Sequence, residues 1–341
     1  METAEEFFHF RPSGDFCVRL MLALGLALVA SVWAAVWLPW LAVAGLAGLA
    51  LLTLNGARLS TAILMSRAHG ARESEEPLPG WVRTSNLIAR APGPAGAPLL
   101  VFVAHYDTKS QNISMTLRVA LFALLGFAGT ATVQLAFLRL WLGWPHPAAI
   151  HACFAATLAV AIPLFALRTG NASPGALDNA CGLATLVEMS RLWRDLPLSW
   201  KARAIFLSPS AEEHGLVGSR LWTARHAGEL LGEPKCRILN LDGCATAGRF
   251  FVIPAVGPVA DAFVASARSL FHSIRRIPLG VGLLADHVPF VEAGLACATL
   301  FAHGRGTSRI HTAGDSADLL EDAGFEAAGQ VVMGAVERLI G

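Results

Sequence analysis

Gly175-Ala176-Leu177-Asp178-Asn179-Ala180-Cys181-Gly182 is a turn of small residues that opens a helix, read here as Cys181 to Trp193. The two glycines permit tight backbone, and Asp178 sits where a helix N-cap would sit. Taken alone, Asp178 is a cap. It does not stand alone. Upstream lies His105-Tyr106-Asp107; downstream lie Glu212-Glu213, Asp242 and His311, each after an apolar run that ends in small or turn residues. One carboxylate between a His-x-Asp and a Glu-Glu is what a two-metal hydrolytic centre needs as a bridging ligand.

Outward from that turn the chain alternates. Leu99–Ala104, Ala202–Ser208, Arg237–Leu241, Phe250–Ile253 and Cys297–Phe301 are short apolar runs of strand length. Helices are predicted over Cys181–Trp193, Leu216–Leu230, Val259–Phe271, Val288–Glu292 and Asp322–Ile340. Alternation of this kind argues for an α/β fold with a mostly parallel, mixed sheet covered by helices on both faces. His105, Glu213 and Asp242 each come just after a predicted strand, and open α/β sheets gather ligands at the carboxyl ends of their strands. Imidazole and carboxylate are suitable zinc donors.

The rest of the chain is apolar to a degree that this domain alone does not account for. Of 341 residues, 54% are hydrophobic and 15% charged, against about 25% charged in soluble domains. Leu20–Leu38 carries no charge over a length that crosses a bilayer core, and Trp33, Trp37 and Trp40 fall where an interfacial belt belongs. Pro39 breaks the run, and Leu41–Ala57 forms a second. Val119–Leu138 and Pro147–Leu167 make another pair, with Trp141 and Trp144 at its tip. We therefore expect two transmembrane hairpins, the second inserted within the α/β domain. The organisation read this way is a hairpin over 1–66, a linker and first part of the domain over 67–112, the inserted hairpin over 113–168, and the rest of the domain over 169–341. His151 lies in the last span and is either functional or simply reaching the interface. The net charge of +1 gives no footing for a nucleic-acid partner. The six cysteines form no C-x-x-C pair and read as free thiols. Arg11, Arg19, Arg58, Arg67, Arg72, Lys109, Arg118 and Arg168 lie on the domain side of the spans and only Arg139 on the tip side, which points the domain to the cytoplasm. Lys109 to Arg118 and Thr169 to Asp178 are nine steps each, a reach of at most about 32 Å. The site is thus expected near the headgroups, open to substrates presented at the membrane.

The ordered motifs resemble the co-catalytic di-zinc aminopeptidases, the aminopeptidase Y-like group related to glutamate carboxypeptidase and glutaminyl cyclase. The residues that carry the resemblance are His105-x-Asp107, Gly175-Ala-Leu-Asp178-Asn-x-x-Gly182, Glu212-Glu213-x-Gly215-x-x-Gly218-Ser219, Leu241-Asp242, Asp286-His287-x-Pro289-Phe290 and His311-Thr312-x-x-Asp315. It spans roughly residues 80–341, interrupted by the second hairpin. The resemblance implies two zinc ions per chain. His105 and Asp242 would hold one, Glu213 and His311 the other, and Asp178 would bridge both. Glu212 would be the general base, and Asp107 would orient His105. Asp286 and His287 stay outside the ligand set. Two departures stand out. The His-x-Asp is 73 residues from the bridging Asp, with the hairpin between them, and Ile310 stands where many relatives carry a tyrosine beside the final His.

These readings imply a membrane-anchored zinc aminopeptidase acting on peptides, with the lipid bilayer as its other partner. The runner-up is a glutaminyl cyclase-type acyltransferase with one zinc, against which the retained His105 argues. A receptor with a relict domain predicts lost ligands, and none is lost. A transporter is disfavoured because the four spans carry no acidic residue.

Overall fold

The computed structural model describes residues 1–341 apart from positions 13, 145, 196–200, 234 and 280–283. The chain divides into two compact units: Met1–Pro12, Ala68–Ser110 and Asn171–Gly341 form one, Ser13–Arg67 and Gln111–Gly170 the other.

The first unit is built on a nine-stranded mixed sheet. Its strands are β1 (Glu2–Phe10), β2 (Ala68–Gly70), β3 (Val82–Ala91), β4 (Leu99–Val103), β7 (Arg203–Ser208), β8 (Cys236–Leu241), β9 (Gly248–Ile253), β10 (Ile274–Arg276) and β11 (Cys297–Gly304). The two-residue strands β5 (Ser110–Gln111) and β6 (Thr169–Gly170) pair only with each other, where the inserted segment begins and ends. The large sheet runs β10-β9-β11-β8-β4-β7-β3-β1-β2. Its centre, β11-β8-β4-β7, is parallel; β9 meets β11 antiparallel, and β3, β1 and β2 extend the other side antiparallel. The predicted parallel character therefore holds for the centre and for the outer pair β10-β9, while β9 against β11 and the β3-β1-β2 side are antiparallel.

β4 shows why the centre is legible in sequence. All five of its residues are buried, as in a parallel strand covered on both faces. Alternate side chains serve opposite cores. Leu100 and Phe102 join one cluster with α5 (Cys181–Asp195), α7 (Pro258–Ser269) and α9 (Asp322–Ile340). Leu99, Val101 and Val103 join the other with α6 (Val217–Leu231) and α8 (His287–Glu292).

The sequence reading missed β1. It assigned residues 1–66 to the first hairpin, whereas Glu2–Phe10 pairs along its whole length with β3, from Glu2 opposite Arg90 to Phe10 opposite Val82. The strand begins with three acidic residues among its first five, Glu2, Glu5 and Glu6, and alternates only weakly. Phe8 and Phe10 nonetheless pack with Ala211 and Val217, and Glu6 pairs with Arg225 and His226 at 2.6 and 2.7 Å.

The second unit consists of four helices: α1 (Gly14–Ala34), α2 (Trp40–Met65), α3 (Met115–Leu142) and α4 (Pro147–Phe165). All four are long and apolar enough to cross a membrane. Their ends follow local rules. The Ser114 hydroxyl caps α3, Gly143 closes it with φ 67°, and His146 with Pro147 opens α4. His151 is explained within this unit: Trp33 Nε1 donates to its Nδ1 at 2.9 Å and Trp37 stacks on it at 5.3 Å.

Candidate metal centre

The parallel order decides which loops meet. β7 and β8 flank β4, so the residues after these three strands share one edge of the sheet. His105 leaves the end of β4, Glu212 and Glu213 form a single turn after β7, and Asp242 follows β8 directly. Asp178 arrives from the turn before α5, and His311 from the loop after β11. All five predicted ligands and Glu212 come together.

Two groups of donor atoms form, and Asp178 belongs to both: His105, Asp178 and Asp242 in one, Asp178, Glu213 and His311 in the other, with the donor atoms of each within 4.8 Å of one another. The two oxygens of Asp178 face different histidines. Oδ1 lies 3.2 Å from His105 Nε2, and Oδ2 lies 2.9 Å from His311 Nε2. Asp242 Oδ1 is 3.9 Å from His105 Nε2, and Glu213 Oε1 is 3.1 Å from His311 Nε2.

His105 is fixed in the tautomer that a ligand needs. Its Nδ1 lies 3.0 Å from the Asp107 carbonyl, which only accepts, so Nδ1 carries the hydrogen. Nε2, the other ring nitrogen, faces Asp178 and Asp242 and is the one that can bind a cation once its own proton is displaced. Buried Nε2 of His105 and Oε1 of Glu213 make no well-aligned hydrogen bond among the described residues. Atoms of this kind, nitrogen and oxygen lone pairs converging out of reach of water, fit a bound zinc pair.

Asp107 works differently from the expectation. Its carboxylate stands 3.7 Å from His105 Nδ1 and instead accepts the backbone N–H groups of Glu212 and Glu213 at 3.0 and 3.2 Å. It is the backbone of Asp107 that orients His105, while the side chain holds the Glu-Glu turn. That turn is bracketed by left-handed residues, Ala211 at φ 58° and Leu216 at φ 63°, and His311 is also left-handed at φ 63°. Non-glycine residues in this region are strained and persist only where the surroundings hold them.

The cap predicted for Asp178 falls one residue on. Asn179 Oδ1 accepts from Gly182 N–H at 3.1 Å at the start of α5, and from Gly243 N–H at 3.1 Å; its Nδ2 donates to the Leu241 carbonyl at 2.9 Å. Asn179 thus ties the Asp178 turn to the Asp242 loop and leaves Asp178 free of capping. Asp315 clamps the same turn from the other side, accepting from the N–H groups of Leu177 and Asp178 at 2.7 and 3.2 Å. Both residues stood inside recognised motifs, but neither had been given a role. Lys109, in the sequence only one of the charges beside the spans, belongs to this centre. Its ammonium lies 2.8 Å from Glu213 Oε2. Tyr106 turns away, its hydroxyl donating to the Ser85 carbonyl at 2.7 Å.

The electrostatics follow from burial and crowding. Burial first, then the charges of Glu213, Asp286 and Asp242, hold the Glu212 carboxyl well above its usual range. Burial likewise raises Asp242. Asp178 is moved the other way: burial opposes its charge, but the close imidazoles of His105 and His311 outweigh that and hold it far below the usual range. Burial opposes charge on His105 too, yet the surrounding carboxylates raise it well above its ordinary value. A metal-free centre therefore binds protons that a cation would displace. Asp286 and His287 form a buried layer beside the centre. Burial lifts Asp286 to about 7 and lowers His287 to about 4. His287 Nδ1 meets Thr299 Oγ1 at 2.7 Å.

The sequence pattern of peptidase family M28 matches residues 86–336. Aminopeptidase YwaD of Bacillus subtilis (strain 168) is 30% identical over 178 residues, 49% of this chain and 38% of that one. The match thus spans well under half the length of that curated relative. Among solved structures, a zinc aminopeptidase from Bacillus subtilis superimposes at TM-score 0.51 with 20% identity, over 79% of this chain and 51% of that one. An aminopeptidase from Aneurinibacillus sp. strain AM-1 gives 0.52 with 17% identity, over 79% and 49%. At these identities the structural likeness is one of fold. The family match takes in most of the chain and every residue of the centre, so the chain belongs to peptidase family M28.

Proposed function

We propose that the protein is a membrane-anchored zinc aminopeptidase that hydrolyses the amino-terminal bond of peptides. One observation carries the reading: Asp178 directs one oxygen to each of two donor groups, while the carboxyl of Glu212 lies beside them and belongs to neither. His105 and Asp242 would hold the first zinc, Glu213 and His311 the second, and Asp178 both. Zinc held there supplies Lewis acidity towards the scissile carbonyl and acidifies water at the centre. Glu212 takes a proton from the attacking water as its oxygen bonds to the carbonyl carbon. The C–N bond breaks, and the same carboxyl passes the proton to the departing amine. Asp107 holds Glu212 by its backbone N–H, so that the base and its neighbour Glu213 are placed by one side chain.

The four apolar helices support anchoring. The excess of Arg and Lys on the domain side supports a cytoplasmic peptidase unit. Peptides, and not nucleic acids, are the substrates this centre suits.

The test is metal content and turnover on the purified full chain. Two zinc ions per chain and release of amino-terminal residues are expected. Glu212→Gln should keep both ions and lose about 10²–10⁴-fold in kcat. Wild-type turnover by that variant would remove Glu212 from its role. A single zinc with cyclisation of amino-terminal glutamine would favour the acyltransferase reading instead.

A further inference from the structure

Lys109 is the last residue before β5, where the chain leaves the first unit. It is a half-buried cation beside a centre proposed to bind cations, and the mechanism above gives it no task. Its Nζ lies 2.8 Å from Glu213 Oε2 and donates to the Glu213 carbonyl oxygen at 3.2 Å. Its side chain is 16% exposed and that of Glu213 only 4%. The two carboxylate oxygens of Glu213 are therefore unequal. Oε2 is engaged by the ammonium, while Oε1 stands 3.1 Å from His311 Nε2 with no well-aligned hydrogen bond among the described residues.

We infer that Lys109 is a positioning residue that makes Glu213 a one-oxygen donor and moderates the affinity of the group formed by Asp178, Glu213 and His311. The inference rests on the metal reading above. A carboxylate on a metal takes one coordination position or two, and both modes are common for hard cations. A catalytic zinc must keep a position open for water or substrate. With Oε2 occupied by an ammonium, Glu213 cannot close that position by chelation. The same ammonium is a fixed positive charge a few ångströms from the place of the ion, in surroundings that screen it poorly. It therefore weakens binding of the second ion while favouring an open geometry. Arginine, which keeps the charge and the donor, should preserve both effects in part; methionine, similar in length and apolar, should abolish both.

The experiment compares the wild type, Lys109→Met and Lys109→Arg as full chains in detergent. Zinc affinity is measured by chelator competition with metal counting, and coordination by the visible spectrum of the Co2+-loaded proteins. In Lys109→Met the first ion should bind as in the wild type. The second should bind at least about tenfold more tightly, the smallest effect expected of a unit charge removed at this range, and its Co2+ spectrum should move towards higher coordination number. Lys109→Arg should stay near the wild type in both. A merely structural lysine predicts the opposite sign, since disturbing a ligand's support weakens metal by about 10–100-fold. Unchanged or weaker second-ion binding in a folded Lys109→Met protein overturns the inference and leaves the metal reading standing. If Lys109→Met does not fold, the zinc-loaded wild-type structure decides: one Glu213 oxygen on the ion supports the inference, and both oxygens overturn it. A wild type that takes up no zinc overturns the metal reading and this inference with it.

Discussion

Replacing Asn179 with alanine tests the idea that the centre is held by side chains stapling one ligand loop to the next. Asn179 is almost fully buried. It makes three hydrogen bonds: two accepted from Gly182 and Gly243, one donated to Leu241. At a net 0.5–1.5 kcal/mol each, Asn179→Ala should cost about 1.5–4.5 kcal/mol. For a unit of this size that is a fall of roughly 5–15 °C in Tm. Because the bonds join the Asp178 turn to the Asp242 loop, affinity for the first zinc should fall by about 10–100-fold, with a smaller effect on the second. Asn179→Asp separates charge from contact. It keeps both acceptors but sets a carboxylate against the Leu241 carbonyl, so its deficit relative to the wild type should shrink at low pH, where a protonated carboxyl can donate. Thermal melts of chelator-treated protein and zinc titrations read all of this. An Asn179→Ala protein within about 0.5 kcal/mol of the wild type, the range of neutral surface changes, and with unaltered zinc affinity would refute the stapling argument.

Further predictions follow from the same coordinates. In Gly182→Ala the new Cβ would lie 2.2 Å from Asn179 Oδ1 and 2.5 Å from the Leu241 carbonyl, so it should match or exceed the loss in Asn179→Ala, and the two should be less than additive when combined. The metal-free protein should lose stability as pH rises from about 5 to 8, a window set by the carboxylate and histidine shifts. Glu212, Asp242 and Asp286 have raised carboxyl pKa values, the last to about 7, and His105 and His311 are raised as well. The folded state thus holds more protons than the unfolded state through that window, and stability drops as they are lost. The lowered carboxylates Asp178 and Glu213 contribute stability already complete above their ordinary values of 3.8 and 4.5. His287, lowered to about 4, works against the trend below its ordinary 6.5, one group against the five raised ones. Melts of chelated protein across this range should fall, and zinc should raise Tm more at pH 8 than at pH 5.5; a flat or rising Tm would contradict the assignment. For topology, an impermeant thiol reagent on intact cells should label an engineered cysteine near Trp144 and spare one near Arg225; the reverse pattern would place the peptidase unit outside.

How much of this was legible in the sequence depends on whether a residue acts through its own pattern or through a neighbour far along the chain. β4, β7 and β8 were legible because a strand buried on both faces must be apolar throughout, and the ligands follow their ends. β1 was not, because its buried side chains are few and come at its end, Phe8, His9 and Phe10, and its acidic residues find partners far along the chain, Glu5 at Ser85 and Glu6 at Arg225 and His226. The ligand set was legible as motifs, yet its internal division of labour was not. Asp107 was expected to orient His105 with its carboxylate; a sequence cannot tell that the backbone carbonyl does so while the carboxylate reaches Glu212 and Glu213, more than a hundred residues on. Asp178 was expected to be able to cap α5; Asn179 takes that place, which frees both oxygens of Asp178. In the Asp178 and Asp242 loops a neighbour in sequence carries the ordinary structural duty, so that the ligand itself need satisfy no backbone group there. Asn179 does this for Asp178, and Gly243, which donates to Asn179, anchors the loop of Asp242. A buried centre whose lone pairs must stay unsatisfied until a cation arrives has to be supported in this way, because any backbone donor that reached Asp178 directly would occupy an oxygen that the centre needs.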